Sequence, residues 1–511
     1  MILLSQELLI SEALKYAAHS NPKKEAFVDQ DKRVTYEQLL NRATHIAGWL
    51  QQHGIEKDDK IGFLFKNSIE FVEVYFGISF TSGVGVPINF RLAPSEIEYV
   101  LNNSDTKILF IDQEYIEIIQ SIREKLQKVK NIVVVNPNQD ITGFDMVQYE
   151  KIFESTALYQ ANEIRQDHDA HVIVYTSGTT GRPKGAVLTH KNVYMQAMNR
   201  LADMKRDKQT RMLIVPPLFH IAALSHLVTI CLQEGTGIIH SDFRPESILR
   251  TIQAEKITFM FLVPAMWIVL LQVPNLHEYD SSSLKKCGMG GAITPLELKK
   301  KILKVFTNAE LVESFGQTES LHVTYLLPED VIRKTDSVGK PAINVRVRIV
   351  DPEMNDVPVG EVGEIIYQGP TMMKEYYKNP EATEEAFKRG WFHSGDLVRM
   401  DENGFIYIVD RKKDMIISGG ENIYPAEVEE VLYTHPDIME AAVVGIPDPQ
   451  WGESVKVFIV LKPNKKLTQT QVIEFCQSRL ASYKKPRNVE FLEALPRNAS
   501  GKILKNVLRT R

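Results

Sequence analysis

Residues 175–185 are the stretch of this sequence whose residue types are best suited to chemistry. They read Tyr-Thr-Ser-Gly-Thr-Thr-Gly-Arg-Pro-Lys-Gly and follow the apolar run His171–Tyr175, a pattern that predicts a buried strand ending in a loop. Glycines let backbone N–H groups turn towards an anion, hydroxyls donate to phosphate oxygens, and Lys184 with Arg182 adds positive charge. The loop is not a Walker A sequence, because Lys184 stands between a proline and a glycine. We interpret it as a polyphosphate-binding loop; a glycine-rich surface turn is the simpler alternative.

Five further stretches carry residues that a plain hydrophobic core does not require. They combine glycine or proline with a histidine, an aromatic ring, a carboxylate or a lysine, and they are Pro216–His220, Gly288–Ala292, Glu313–Glu319, Trp391–Asp396 and Pro496–Lys502. Each one taken singly has an ordinary structural explanation, such as a Gly-Asp turn or a solvated lysine near the end of the chain. Their occurrence together, in this order, is the informative observation.

The elements that must position these stretches alternate along the chain. Apolar strand patterns and helical patterns follow one another at 61–65, 70–81, 85–88, 95–102, 107–111 and 132–135. Thr35 is a capping signal for a helix that begins at the next residue. This order predicts an α/β fold with largely parallel sheets. Residues 338–370 change to an alternating pattern between turns, which predicts a small antiparallel β-barrel.

A domain boundary is expected at the charge-rich turn Asp410–Asp414. Residues 411–511 contain 16 Lys and Arg and 12 Asp and Glu, a net charge of +4, which leaves −9 for residues 1–410 given the total of −5. A small basic domain on a larger acidic one fits a lid that closes on an anionic ligand, and an accidental asymmetry of solvated faces explains the charges equally well. The predicted domains are therefore 1–410 and 411–511.

Composition excludes several classes of protein. A chain of 511 residues is too long for one core, and its net charge of −5 offers nucleic acid no general positive surface. Cys231, Cys287 and Cys476 lie far apart, so they predict neither a zinc site nor a disulfide framework. We find no run suited to a membrane-spanning helix and no secretion signal, and we expect a cytoplasmic protein.

Two questions about partners stay open at this point. A cluster of cations is a candidate for peripheral contact with an acidic membrane surface, and a solvated loop is the simpler explanation of Lys205, Arg206, Lys208 and Arg211. The sequence does not reveal the oligomeric state, and a homodimer is one alternative.

Taken together, these stretches and Asp410–Leu432 resemble the acyl-adenylate-forming superfamily, which includes acyl-CoA synthetases, adenylation domains and firefly luciferase. The resemblance covers nearly the whole chain. Within the superfamily, Asn89–Pro94, Pro217–Leu224 and Ser418–Pro425 are most similar to soluble fatty-acyl-CoA ligases, and aryl-acid ligases share much of this likeness. The resemblance implies a large N-terminal domain of two α/β subdomains plus a small β-barrel, and a small mobile α+β C-terminal lid domain.

The resemblance also implies roles in ATP binding. The loop would hold the β- and γ-phosphates through Thr176, Ser177, Gly178, Thr179, Thr180, Gly181 and Lys184. Thr176 and Glu319 would reach Mg²⁺, a hard cation that prefers oxygen ligands. Adenine would be bound by the ring of Phe315, where the family usually has tyrosine, together with Gly290, Gly291, Ala292, Ser314 and Gly316. Asp396 would accept from the ribose hydroxyls, assisted by Arg411.

For catalysis, the resemblance implies that Lys502 is the main residue of adenylation, bridging the carboxylate and the α-phosphate. Thr318 would reach the α-phosphate. Lys413 matches the hinge about which the lid rotates between half-reactions. Rotation would bring a glycine-containing segment, Ser418, Gly419 and Gly420, to the coenzyme A tunnel.

The acyl pocket is expected to begin at His220, as a gate or as a packing residue at the tunnel mouth. It would run past Ala222–Leu224 towards Gly288 and Gly290. Small apolar walls with no evident buried charge favour an apolar acid over a dicarboxylate.

The implied reaction is the ATP-dependent activation of a carboxylic acid to acyl-AMP, followed by transfer to coenzyme A with release of AMP and pyrophosphate. ATP, Mg²⁺ and coenzyme A are the expected cofactors and co-substrates, and a medium- or long-chain fatty acid is the expected acid. Alternatives are an aryl-acid CoA ligase and an acyl-AMP ligase that loads a carrier protein. A nucleotide-binding regulator without chemistry is a further alternative, against which Lys502, Glu319 and Asp396 argue.

Overall fold

A computed structural model describes residues 7–137, 146–154, 159–160, 164–176, 183–205, 207–292, 294–334, 336–418, 421–497 and 503–511. Helices and strands alternate along this part of the chain, so the predicted α/β class is confirmed. The α-helices are α1 Ile10–Ser20, α2 Tyr36–Gln52, α3 Ile69–Ser79, α4 Pro94–Asn103, α5 Ile116–Ile122, α6 His190–Met204, α7 Ile221–Gln233, α8 Pro245–Ala254, α9 Pro264–Leu270, α10 Leu296–Val305, α11 Pro380–Ala386, α12 Pro425–Tyr433, α13 Gln469–Gln477 and α14 Lys505–Arg509.

The strands fall into several sheets. They are β1 Glu25–Asp29, β2 Lys32–Thr35, β3 Lys60–Leu64, β4 Val84–Pro87, β5 Thr106–Asp112, β6 Asn131–Val135, β7 Met146–Gln148, β8 Ala170–Thr176, β9 Lys184–Thr189, β10 Arg211–Ile214, β11 Thr236–Ile239, β12 Phe259–Leu262, β13 Lys286–Gly290, β14 Glu310–Gln317, β15 Leu321–Leu326, β16 Ser337–Pro341, β17 Arg346–Val350, β18 Gly363–Gln368, β19 Glu375–Tyr376, β20 Phe387–Lys388, β21 Trp391–Met400, β22 Ile406–Arg411, β23 Ile416–Ser418, β24 Glu421–Ile423, β25 Ile438–Asp448, β26 Gly452–Leu461 and β27 Asn488–Phe491.

The chain divides into two compact units. The first contains the described residues through 176, 183–346 and 367–392, and the second contains those of 347–366 and 393–511. The predicted domain boundary between residues 410 and 411 stays a prediction.

Two sheets organise the first unit. One has the strand order β16-β15-β14-β13-β12-β10-β11-β1-β2 and is parallel from β14 to β1, with antiparallel strands at both edges. The other has the order β19-β9-β8-β4-β3-β5-β6-β7, and its parallel strands end in the antiparallel pairs β8–β9 and β9–β19. Because the carboxyl ends of parallel strands share one edge, loops distant in sequence meet there.

The second unit is built from shorter sheets. Strands β17, β18, β21 and β22 are neighbours in that order, and β17 and β18 fall within residues 338–370, the segment predicted as a small barrel. Strands β24, β23, β26 and β25 form another sheet, to which β27 adds on β26. Helices α12 and α13 cover this sheet with Val428, Leu432, Val472 and Cys476, which are buried among its Val and Ile side chains.

Local sequence signals explain many element ends. Thr35 and Gln38 form a capping box at the start of α2, as the capping signal predicts. Proline occupies the first position of α4, α8, α9, α11 and α12, where its missing N–H has no helical partner to lose. Among the described residues, no helix combines the length and the apolar character that crossing a membrane requires.

The three cysteines are buried and unpaired, as their spacing predicts. Burial raises the pKa of the Cys231 and Cys287 thiols far above its ordinary value and that of Cys476 to about 11.

Candidate active site

The two ends of the predicted phosphate loop lie side by side. Thr176 ends β8 and Lys184 begins β9, and the two residues are partners in the antiparallel ladder. The Thr176 hydroxyl donates to the Lys184 carbonyl oxygen at 3.3 Å. The five loop residues named above, 177–181, lie outside the described residues. The hairpin therefore presents one hydroxyl and one ammonium group at the end that carries the loop.

A tyrosine connects this hairpin to the predicted metal ligand. The hydroxyl of Tyr376 donates to Oε1 of Glu319 at 2.7 Å, and Lys184 Nζ lies 5.2 Å from the centroid of the Tyr376 ring. The N–H of Met373 donates to the Glu319 carbonyl oxygen at 2.7 Å. Tyr376 was not predicted, and no local sequence pattern indicates it. Its position depends on the pairing of β19 with β9, in which Tyr376 lies opposite Ala186, two residues after Lys184.

The glycine turn after β13 is shaped by close approach to β14. Gly290 lies opposite Ser314 in the parallel ladder, and a Cβ at Gly290 would lie 2.6 Å from the Ser314 carbonyl oxygen. Gly291 has φ +81°, a conformation that side chains disfavour. Ala292 is exposed beside it. These residues leave an open shelf at the carboxyl edge of the sheet, which fits a flat ring such as adenine.

A bulge between Phe315 and Gly316 turns the chain after this shelf. A Cβ at Gly316 would lie 1.8 Å from the Leu321 carbonyl oxygen, so only glycine permits the turn. Thr318 and Glu319 occupy the tip of this turn and are partly exposed. The glycine turn, the ring of Phe315, the hydroxyl of Thr318 and the carboxylate of Glu319 therefore lie along one edge of the sheet.

A buried ion pair supports β14 from beneath. Lys299 Nζ lies 2.6 Å from Oε2 of Glu313, and both side chains are at most 5% exposed. Burial raises the pKa of Glu313 above its ordinary value, and the lysine opposes this effect. The pair fixes the strand that carries Ser314 and Phe315.

His220 lies at the start of α7. Its carbonyl oxygen accepts from the N–H groups of Ala223 and Leu224, and its ring packs against Phe219 with centroids 4.4 Å apart. Burial, with a smaller contribution from the Arg91 charge, lowers the pKa of His220 to about 4. The imidazole is therefore neutral near pH 7, so it acts as a packing or gating group and not as a cation. Its role as a gate stays a prediction.

The expected absence of buried charge does not hold along α7. Arg200 of α6 is 2% exposed and donates to Ser225 and Thr229 of α7. The residue pattern of α6 is that of an ordinary amphipathic helix, and it does not indicate that this arginine faces inward.

The predicted ribose ligands lie in the second unit. Arg411 Nε is 2.5 Å from Oδ1 of Asp396, and the two residues are partners of the β21–β22 ladder. Asp396 is 2% exposed, and its N–H donates to the hydroxyl of Ser394 at 3.0 Å. Gly395 between them has φ +70°. The ion pair fixes one oxygen of the carboxylate in a defined direction.

The predicted hinge is tied to the last helix of its own unit. Arg509 of α14 donates to the Lys413 carbonyl oxygen at 3.1 Å and to Asp414 at 2.8 Å. Lys502 lies outside the described residues. On either side of it, Arg497 and Ile503 form an antiparallel bridge, and the Leu504 N–H donates to the Pro496 carbonyl oxygen at 2.8 Å.

Ser418 ends β23 and is the partner of Glu421 in β24 and of Gly452 in β26. Gly419 and Gly420 lie outside the described residues. Ser418 itself is buried.

The donor set fits Mg²⁺ bound chiefly through phosphate. Among the described residues, no three His, Cys, Asp or Glu side chains cluster as a protein-only metal site. Glu319 supplies one carboxylate, with Oε1 oriented by Tyr376. Mg²⁺ is usually held by one or two carboxylates together with the phosphates of a nucleotide, so this single carboxylate is the expected contribution of the protein.

Known proteins are similar to this chain over nearly its whole length. The chain is 37% identical over 481 residues to the feruloyl-CoA synthase of an Amycolatopsis species, which covers 94% of each chain. It is 37% identical over 503 residues to the long-chain-fatty-acid–CoA ligase FadD13 of Mycobacterium tuberculosis, which covers 97% of each. Among solved structures, the o-succinylbenzoate CoA synthetase of Bacillus subtilis with its acyl-adenylate matches with a TM-score of 0.85, at 31% identity over 97% of both chains.

The family models cover both parts of the chain. The model described as AMP-binding enzyme matches residues 14–377, and that of the AMP-binding enzyme C-terminal domain matches residues 427–502. ATP, Mg²⁺ and coenzyme A are the standard ligands of such ligases, and a solved o-succinylbenzoate synthetase contains ATP and a magnesium ion. With a phosphate-loop hairpin, a nucleotide shelf and an oriented carboxylate in place, the chain belongs to the AMP-binding enzyme family and is an AMP-forming acid–CoA ligase of the acyl-adenylate-forming superfamily.

Proposed function

We propose that the protein activates a carboxylic acid as acyl-AMP and then passes the acyl group to the thiol of coenzyme A. The observation that carries this proposal is the contact of Tyr376 with both Lys184 and Glu319. This contact brings a cation suited to phosphate and a carboxylate suited to Mg²⁺ together at the loop end of the β8–β9 hairpin. MgATP requires both groups at one place.

In the first half-reaction, the acid carboxylate attacks the α-phosphorus and pyrophosphate leaves. Two anions approach each other, so positive charge and hydrogen-bond donors aimed at the developing charge stabilise the transition state. Lys184 and Thr176 bind the leaving phosphates at the loop ends, and Glu319 would hold the metal. Bound Mg²⁺ supplies neutralisation of phosphate charge. We assign the bridging of carboxylate and α-phosphate to Lys502.

In the second half-reaction, the coenzyme A thiol attacks the acyl carbonyl carbon and AMP leaves. We propose Lys413 as the hinge between the two half-reactions and the segment from Ser418 to Gly420 as the wall of the thiol tunnel. The hydrogen bond from Arg509 to the Lys413 carbonyl oxygen supports the hinge, because it couples the end of the chain that follows Lys502 to that residue.

A fatty acid is the acid that the sequence favours, and an aryl acid is the alternative. The neutral ring of His220 and the neighbouring Phe219 give the predicted entrance of the acyl pocket, at the start of α7, an apolar character that suits either acid. Relatives of equal identity carry the names feruloyl-CoA synthase and long-chain-fatty-acid–CoA ligase. Carrier-protein loading remains an alternative for the second step, and a cytoplasmic location and a homodimer stay predictions from the sequence.

The test is an assay of the purified protein with MgATP and a panel of fatty and aryl acids, with and without coenzyme A. We expect acid-dependent pyrophosphate release in both conditions and a thioester only with coenzyme A. Acyl-AMP that accumulates without thioester in the presence of coenzyme A would favour the carrier-protein alternative. ATP binding without any pyrophosphate release would favour the regulatory alternative.

A further inference from the structure

Arg200 is a fully buried cation whose partners are neutral. Its Nη1 donates to the Ser225 carbonyl oxygen at 3.3 Å and to the Thr229 hydroxyl at 2.8 Å. Its Nη2 donates to the Ser225 hydroxyl at 3.2 Å and contacts Nδ1 of His322 at 3.3 Å. Tyr325 also interacts with this guanidinium, no ion pair of Arg200 with a carboxylate is found within the described residues, and its Nε has no hydrogen-bond partner. Burial of an uncompensated charge is unfavourable, so such a group signals a missing anionic or polar partner.

A cavity of about 60 Å³ adjoins this arginine. Arg200, Thr229, His226 and Phe259 contribute to its wall, together with Asp207, Lys285 and Lys286 near the amino ends of β10 and β13. Both ring nitrogens of His226 lack a hydrogen-bond partner although the residue is only 2% exposed, and burial holds its pKa far below the ordinary value. A neutral histidine that offers one donor and one acceptor thus faces the same space as the buried guanidinium.

The cavity lies at the amino end of β13, and the glycine turn of the nucleotide shelf lies at its carboxyl end, with Gly288 between them. A Cβ at Gly288 would lie 3.0 Å from the ring of Phe261 and 3.1 Å from that of Phe259. The centroids of these two rings are 5.9 Å and 5.8 Å from that of His226. One layer of aromatic rings therefore separates Gly288, on the predicted path of the acyl pocket, from His226 at the cavity wall.

His322 gives a second link to the reaction site. It contacts Arg200 and lies opposite Gly316 in the β14–β15 ladder, three residues after Glu319. His322 thus connects the guanidinium to the turn that carries Thr318 and Glu319.

We infer that Arg200 and His226 recognise a second oxygen acceptor, a carboxylate or a hydroxyl, at the end of the acid remote from the reacting carboxylate. The inference rests on the proposed function and names the class of acid within it. The size of the cavity suits one small polar group and not the end of a long alkyl chain. The acyl pocket is then apolar near His220 and polar at its far end, and not apolar throughout as the sequence predicts.

Matched acids of equal chain length test this inference: octanoic, 8-hydroxyoctanoic and octanedioic acid, and 3-phenylpropanoic acid with its 4-hydroxy derivative. We expect the wild-type kcat/KM for thioester formation to be at least about tenfold higher for an oxygen-bearing acid than for its unsubstituted partner, as one hydrogen bond to a buried charge provides. The dicarboxylic and hydroxy arms distinguish an anionic from a neutral acceptor. Equal or better use of every unsubstituted acid would overturn the inference while leaving the proposed function intact.

Arg200→Met and His226→Leu should abolish this preference while the KM for ATP stays within about twofold. Arg250→Met, on the exposed face of α8, is the matched control and should keep the preference. Thermal stabilisation of the wild type by each acid with MgATP gives a readout that does not depend on variant folding. A preference that survives in folded Arg200→Met would also overturn the inference. Absence of both pyrophosphate and thioester with every acid would overturn the proposed function itself.

Discussion

The phenolic hydroxyl of Tyr376 donates a 2.7 Å hydrogen bond to Oε1 of Glu319. Tyr376 belongs to β19, and β19 pairs with β9, the strand that begins at Lys184. The bond therefore connects the turn after β14 to the hairpin that flanks the phosphate loop. Two sheets that share no strand pairing in this region are joined at the point where MgATP is expected.

Removal of this hydroxyl should weaken MgATP use. A hydrogen bond to a charged group contributes about 1.5–3 kcal/mol, so Tyr376→Phe should lower kcat/KM for ATP by about tenfold or more and raise the Mg²⁺ concentration needed for half-maximal activity. The phenyl ring still packs beside Lys184. Tyr377→Phe is the matched control, because its hydroxyl donates to Asp105. Equal effects of both variants would contradict the role of the Tyr376–Glu319 bond.

Lys502 should dominate adenylation. Lys502→Ala is expected to slow acyl-AMP formation by more than about a hundredfold, because it removes several kcal/mol of electrostatic stabilisation. Pyrophosphate release in single turnover measures this step. Arg511→Ala removes an exposed charge near the same end of the chain and should leave the rate unchanged. Normal pyrophosphate release by Lys502→Ala would exclude it as the main catalytic residue.

Lys413→Pro should separate the two half-reactions. Proline fixes φ and so restricts rotation at this residue, but it keeps the carbonyl oxygen that accepts from Arg509. We expect normal acyl-AMP formation and thioester formation slowed by about tenfold or more. Each half-reaction is measured separately, and the adenylation rate is the internal control. Equal loss in both steps would count against a hinge at this position.

The partly buried imidazole of His220 should make stability pH-dependent. Its pKa is about 4 in the folded protein, below the ordinary value of about 6.5 in an unfolded chain. Between these values the unfolded chain binds the proton more readily, so the free energy of unfolding falls as pH decreases through this window. His220→Gln should reduce the difference in unfolding free energy between about pH 7 and pH 5, measured by denaturant titration. The exposed His277 provides the control variant His277→Gln, and an unchanged difference for His220→Gln would contradict the assignment.

The sequence predicts those features that depend on local chemistry. The cap at Thr35 and the glycine turn at Gly290 follow from short-range rules for caps and turns, whereas the bulge before Gly316 was not predicted. These rules also place Phe315 and Glu319 on one edge of the sheet.

Features that depend on tertiary packing escaped prediction. Tyr376 reaches Glu319 only because the short strand β19 pairs with β9, and nothing in its neighbouring residues indicates that partner. Arg200 is one cation on an amphipathic helix, and whether it faces solvent or α7 depends on how α6 packs. The helix pattern alone does not contain that information.

Acyl-adenylates and thioesters are strong acylating agents, and their natural targets in a protein are thiolates. The three thiols of this chain are buried, and burial keeps Cys231 and Cys287 protonated at any physiological pH. The thiol of coenzyme A therefore meets no competing sulfur nucleophile on the protein's surface. The enzyme is built to handle a reactive acyl group without acylating itself at cysteine.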